Sequence, residues 1–85
     1  MEEKEIGYIT DYFHKIDVAA IKITAEGLAV GDRIHIKGHT TDFEQAVDSI
    51  QIEHTAVQKA NKGDDVGIKI KDRVRQYDKV YKIAA

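Results

Sequence analysis

Val30-Gly31-Asp32-Arg33-Ile34-His35-Ile36-Lys37-Gly38 is the stretch from which the fold can be read. Gly31 is free to take a positive φ and Asp32 is a turn former, so the segment opens on a tight turn. Apolar and polar residues then alternate: Ile34 and Ile36 point one way, Arg33, His35 and Lys37 the other. A two-residue period belongs to a strand with one buried face, and Ile at both inward positions suits a pleated, half-buried surface. Gly38 ends the run. On this reading His35 faces solvent.

The same grammar recurs outward in both directions. Asp65-Val66-Gly67-Ile68-Lys69-Ile70-Lys71 turns Val66, Ile68 and Ile70 inward, and Ala19, Ile21 and Ile23 form another inward row. Six strands are expected, over residues 5–13, 17–24, 32–37, 42–53, 64–70 and 78–83. Their shared core is expected to hold Ile21, Ile23, Ile34, Ile36, Ile50, Val66, Ile68 and Ile70. In the fourth strand Phe43 and Val47 have one parity, Ile50 and Ile52 the other, so a bulge near Asp48-Ser49 is needed to keep both pairs inward. Thr55-Ala56-Val57-Gln58 matches a helix capping box and Asn61-Lys62-Gly63 a glycine stop, which predicts one or two helical turns before the fifth strand. An internal echo links Gly31-Asp32-Arg33-Ile34-His35-Ile36-Lys37 to Gly63-Asp64-Asp65-Val66-Gly67-Ile68-Lys69 and, more faintly, to Asp78-Lys79-Val80-Tyr81-Lys82. Each copy is a turn feeding a strand.

Composition sets the limits. The 85 residues, 33% charged and 42% hydrophobic, suffice for a single domain over residues 1–85 with one core. With no Cys, disulfides, a thiolate nucleophile and a zinc ribbon are excluded. No apolar run is long enough for a membrane span or a signal-peptide core, and the first residues are acidic, so a cytoplasmic location without a membrane partner is expected. Net charge is −2, unlike that of a general nucleic-acid binder. The charge is unevenly spread: residues 1–67 hold 7 Lys/Arg against 13 Asp/Glu, residues 68–85 hold 6 against 2.

The order of turns and strands resembles domain 2 of translation elongation factors such as elongation factor Tu. The residues that carry the likeness are Val30-Gly31-Asp32-Arg33-Ile34-His35-Ile36-Lys37-Gly38, then Val47-Asp48-Ser49-Ile50-Gln51, then Val57-Gln58-Lys59-Ala60-Asn61-Lys62-Gly63-Asp64-Asp65-Val66-Gly67, and finally Asp78-Lys79-Val80. The chain is similar, too, to small stand-alone translation elongation factor-like proteins and to the C-terminal barrel of a collagenase-like peptidase family. The resemblance implies an all-β, closed six-stranded Greek-key barrel of the translation-protein type. It implies a non-catalytic binding module without a cofactor, contacting RNA or the ribosome. The alternative is a protein–protein adaptor docking on a partner enzyme, with exposed apolar residues carrying affinity.

Several local patterns bear on chemistry. Asn61-Lys62-Gly63-Asp64 has the N-K-x-D form of guanine recognition, but no P-loop accompanies it and the residues fit a turn, so nucleotide binding is not expected. His35 and His39 are four apart, yet metal ligation at that spacing needs a helix, and His14 and His54 lie in turns; no metal site is expected. His39, Thr40, Thr41 and Asp42 form a polar loop beside Phe43, a candidate binding loop whose commoner use is satisfying its own backbone. Lys69, Lys71, Arg73, Arg75, Tyr77 and Lys79 are the candidate RNA contacts, cations interleaved with an aromatic; the competing reading is a solvated outer face.

Overall fold

A computed structural model describes residues 2–83. Ten strands follow one another: β1 (Glu3–Phe13), β2 (Val18–Ile23), β3 (Leu28–Ala29), β4 (Arg33–Lys37), β5 (Asp42–Ala46), β6 (Ile50–Ile52), β7 (Thr55–Val57), β8 (Lys59–Ala60), β9 (Asp65–Lys69) and β10 (Lys79–Ile83). Eight of them form one antiparallel sheet in the order β5-β4-β10-β1-β2-β9-β6-β7, and β3 pairs with β8 in a separate two-stranded sheet. There is no helix among the described residues.

The inward rows read from the sequence are the core. Ile21, Ile23, Ile34, Ile36, Ile50, Val66, Ile68 and Ile70 are all buried in a single cluster, joined by Ile6, Ile9, Leu28, Val47, Val74 and Val80. Each such side chain contributes about 1.5–3 kcal/mol by leaving water. Strand β1 spans the whole sheet centre, pairing with β10 through its first half and with β2 through its second. Register shifts between Glu5 and Gly7 and between Ile9 and Asp11 bend it. At Gly7 the backbones of β1 and β2 approach closely: a Cβ there would lie 2.2 Å from the Lys22 carbonyl oxygen.

Three expectations are corrected. The sheet does not close into a barrel: β5 and β7 are its two free ends. The single strand expected over residues 42–53 is cut at residues 47–49, because the backbone of Val47 bonds instead to the preceding turn, donating to Asp32 O at 2.8 Å and accepting from Gly31 N at 2.9 Å. β5 therefore stays with β4, while β6 moves to β9. The expected helical turn at Thr55 is a hairpin. Glu53 and His54 both have positive φ, 51° and 64°, and Ile52 faces Thr55 across them. Two such residues give the tight turn whose twist matches the flanking strands, so Thr55 starts a strand and caps nothing.

The internal echo is a repeated hydrogen-bonded turn. In each copy an Asp carboxylate accepts the backbone N–H three residues earlier, and the Asp N–H returns a bond to that residue's carbonyl: Ala29 with Asp32, Asn61 with Asp64, Arg75 with Asp78. The residue before the Asp has positive φ every time: Gly31 at 99°, Gly63 at 96° and Tyr77 at 73°. Asn61-Lys62-Gly63-Asp64 is thus the second of three equivalent turns, its carboxylate already engaged by the main chain.

Candidate functional site

The β1–β2 hairpin ends in residues 14–17, tied down by Ile16 N–H to Phe13 O at 3.2 Å and by Ile70 N–H to Asp17 O at 2.8 Å. Asp17 takes a positive φ of 55° to make the return. The register shift between Ile9 and Asp11 reverses the alternation, so Phe13, of the same parity as buried Ile9, faces outward, and the tip leaves Phe13 47% and Ile16 62% exposed. Tyr12 packs partly on the core. A shallow depression lined by residues 11–16 adjoins a second, lined by Tyr12, His14, Arg73, Val74 and Arg75. Tyr12 and His14 belong to both, so the hairpin tip and the loop before β10 form one surface. Its lining combines the exposed Phe13 and Ile16 with His14, Lys15, Arg73 and Arg75 and one carboxylate, Asp11. Among the described residues no carboxylate pairs with Lys15, Arg73 or Arg75.

The candidate RNA contacts do not gather in one patch. Lys69 and Lys71 line a different depression with Arg33, Glu44 and Gln45. Lys79 pairs with Glu5 at 3.4 Å on β1. Lys82 pairs with Asp32 at 3.4 Å. Only Arg73, Arg75 and the 71% exposed Tyr77 remain on the loop beside the hairpin. The candidate binding loop is largely self-satisfied: Gly38 N–H bonds to Thr41 O at 2.7 Å and Thr41 is buried, leaving His39 and Thr40 outside.

Asp42 leaves that loop for a partner the sequence reading put in solvent. The side chain of His35 is only 12% exposed, its Nδ1 2.7 Å from Glu3 Oε1 and its Nε2 2.5 Å from Asp42 Oδ1. Both bonds favour the imidazolium, so Asp42 first and Glu3 second push the His35 pKa up, against a smaller opposing effect of burial. His35 in turn holds the Asp42 carboxyl below its usual value. One His35 ring nitrogen, one Glu3 oxygen and one Glu44 oxygen also lie within 4.8 Å of one another, the only such potential metal-ligand group among the described residues. The readable half of this cluster was the period-two row Asp42, Glu44 facing His35 across a hairpin; Glu3, 32 residues away, gave no local signal.

Comparison with known proteins places the chain. No family model matches it. An uncharacterised protease of Methanocaldococcus jannaschii is 42% identical over 78 residues, covering 91% of this chain and 19% of that protein. A collagenase of Porphyromonas gingivalis is 38% identical over 78 residues, covering 91% of this chain and 22% of that protein. Among solved structures, the C-terminal domain of a Geobacillus thermoleovorans protein assigned to the U32 peptidases superposes with a TM-score of 0.88 at 19% identity, covering 95% of this chain and 93% of that domain. Its selenomethionine variant superposes with a TM-score of 0.85.

These relatives overturn the translation-factor and RNA-binding reading and support the collagenase-like part of the resemblance. The reason is physical. Gly-Asp followed by an alternating strand specifies a turn that this chain uses at Asp32 and again at Asp64, and turn geometry is common to unrelated β-proteins. The chain spans about a fifth of the length of the curated relatives it matches: it is similar in sequence to one segment of a protease and of a collagenase, and its fold is that of a U32 peptidase C-terminal domain.

Proposed function

We propose that this chain is a non-catalytic accessory module of the collagenase-like peptidase type, and that it docks on a protein partner, the peptidase body. The observation that carries the reading is the surface at the β1–β2 tip: Phe13 and Ile16 stand exposed beside His14 and Lys15, with Arg73 and Arg75 lining the adjoining depression and Asp11 the one carboxylate among the lining residues. Exposed large apolar side chains ringed by polar groups are the anatomy of a docking surface. The cations fit a partner whose apolar seat is flanked by carboxylates. A non-catalytic role is supported by the His35 cluster, where both ring nitrogens are engaged by carboxylates and neither faces a hydroxyl nucleophile.

The test uses the Methanocaldococcus relative with its matching 78-residue segment removed, and adds this chain back as a separate protein. Calorimetry is expected to show binding that weakens at least tenfold in a Phe13→Ser, Ile16→Ser variant whose melting is unchanged, and that weakens with added salt. Absence of binding, or equal binding by the variant, would overturn the reading.

A further inference from the structure

On the outer face of the sheet, three strands bring a histidine and carboxylates together. His35 on β4 lies opposite Glu44 on β5. Glu3, at the start of β1, reaches the same ring from across β10. We propose that His35 Nδ1, Glu3 and Glu44 bind a zinc ion, with Asp42 as the carboxylate that orients the imidazole.

The donor set suits that ion. Imidazole nitrogen with carboxylate oxygens is a zinc combination, and three protein ligands leave a position for water. Calcium and magnesium want six or more oxygens and gain nothing from imidazole. Zinc–ligand distances of about 2.0–2.1 Å in a tetrahedron separate ligand atoms by about 3.3 Å. The three potential ligand atoms already lie within 4.8 Å of one another. Nδ1 and Glu3 Oε1 are 2.7 Å apart, so that pair must open slightly.

The ring takes the form a metal requires once the ion displaces the Nδ1 proton that the carboxylates favour. Nε2 faces Asp42 at 2.5 Å, and a ring that donates Nε2–H there leaves the Nδ1 lone pair aimed at the Glu3 carboxylate. Two acceptors that close need a cation between them, either a proton or a metal ion. Carboxylate, imidazole and metal in that order is the usual arrangement by which an outer carboxylate fixes the tautomer of a ligating His. Burial matches the division of labour: His35 is 12% exposed and fixed, whereas Glu3 and Glu44 are 38% and 42% exposed and free to adjust. Among the described residues the ion-pair competitor for Glu44 is Arg33 at 3.6 Å, an exposed pair of little strength.

The test is a zinc titration of this chain by calorimetry, with cobalt(II) absorption as the geometric readout. One zinc per chain is expected. Glu44→Gln should weaken it at least tenfold and abolish the tetrahedral cobalt bands while the melting temperature holds, and Asp42→Asn should weaken it about 10–100-fold. His35→Asn should remove it. Lack of zinc uptake at millimolar metal, or affinity unchanged by both Glu44→Gln and His35→Asn because His14, His39 or His54 is the true ligand, would overturn the proposal.

Discussion

The side-chain amide of Gln45 accepts a hydrogen bond from the backbone N–H of Lys71 at 2.8 Å, while its Nε2 donates to Lys69 O at 2.9 Å. One amide thus copies the two bonds a neighbouring strand would make, joining the free end β5 to the end of β9 where the backbone ladder stops. Gln45→Ala leaves a donor and an acceptor of the main chain to find water, with an expected loss of about 1–2 kcal/mol in urea unfolding. Gln45→Glu keeps the Lys71 bond and loses the Lys69 bond, so it should fall between the two. A loss below about 0.3 kcal/mol for Gln45→Ala would show that water replaces the amide fully.

The three equivalent turns make a prediction of opposite signs. Tyr77 occupies, at a φ of 73°, the position that Gly31 and Gly63 hold in the other two copies, and its side chain is 71% exposed. A left-handed conformation costs an L-residue about 1–2 kcal/mol, and little packing offsets it here. Tyr77→Gly should therefore stabilise the fold, by about 0.5–1 kcal/mol after the extra freedom of glycine in the unfolded chain. Gly63→Ala should destabilise it by about 1–2 kcal/mol, although no atom lies within 4 Å of the added Cβ. Thermal melts of the two single variants check both signs.

A different glycine is limited by contact. A Cβ on Gly38 would come within 1.9 Å of Asp78 Oδ1. Asp78 is buried, and its other oxygen accepts the Arg75 N–H that shapes the third turn. Gly38→Ala must expel that carboxylate, with an expected cost of about 2–4 kcal/mol. Asp78→Asn is the control, since it keeps the volume and one acceptor; a Gly38→Ala loss no larger than that of Gly63→Ala would show that the turn yields.

Core and turns were legible because their signals are local. Ile34 with Ile36, or Val66 with Ile68, declare a buried face within five residues, and Gly31-Asp32 declares its own turn. What failed needed information from elsewhere. Thr55 satisfied the capping-box pattern, but positive φ at Glu53 and His54 and the pairing of β6 with β7 decided the hairpin. Val47 could continue a bulged strand by pattern, yet the turn at Asp32 claims its backbone. The basic run looked like one patch in sequence, but Glu5 takes Lys79 and the loop carries Arg73 and Arg75 to the hairpin tip. His35 was placed in solvent because its strand parity is outward; parity gives the face, not the company kept there.

That company gives His35 a pH signature, to be measured with a chelator present. Glu3 reaches the ring from β1, Asp42 and Glu44 from β5, and Tyr81 flanks it from β10 with ring centroids 6.2 Å apart; Lys37 and Arg33 are the nearby cations of its own strand. The His35 pKa is raised in the folded chain, first by Asp42 and then by Glu3. The folded state therefore holds the proton more tightly than the unfolded one, and the stabilisation is complete below the unfolded value of about 6.5. It is lost as pH rises through the higher folded value. Asp42 behaves in the opposite sense: its pKa is lowered by His35, so its share is present above the unfolded carboxylate value and is lost as pH falls through the folded one. Unfolding free energy should thus decline from about pH 6 towards the alkaline side, and this slope should vanish in His35→Asn and shrink in Asp42→Asn. An NMR titration of the His35 ring protons supplies the direct reading. A midpoint at or below the ordinary histidine value, or a native alkaline slope that persists in His35→Asn, would show that the carboxylates do not hold the ring as the geometry indicates.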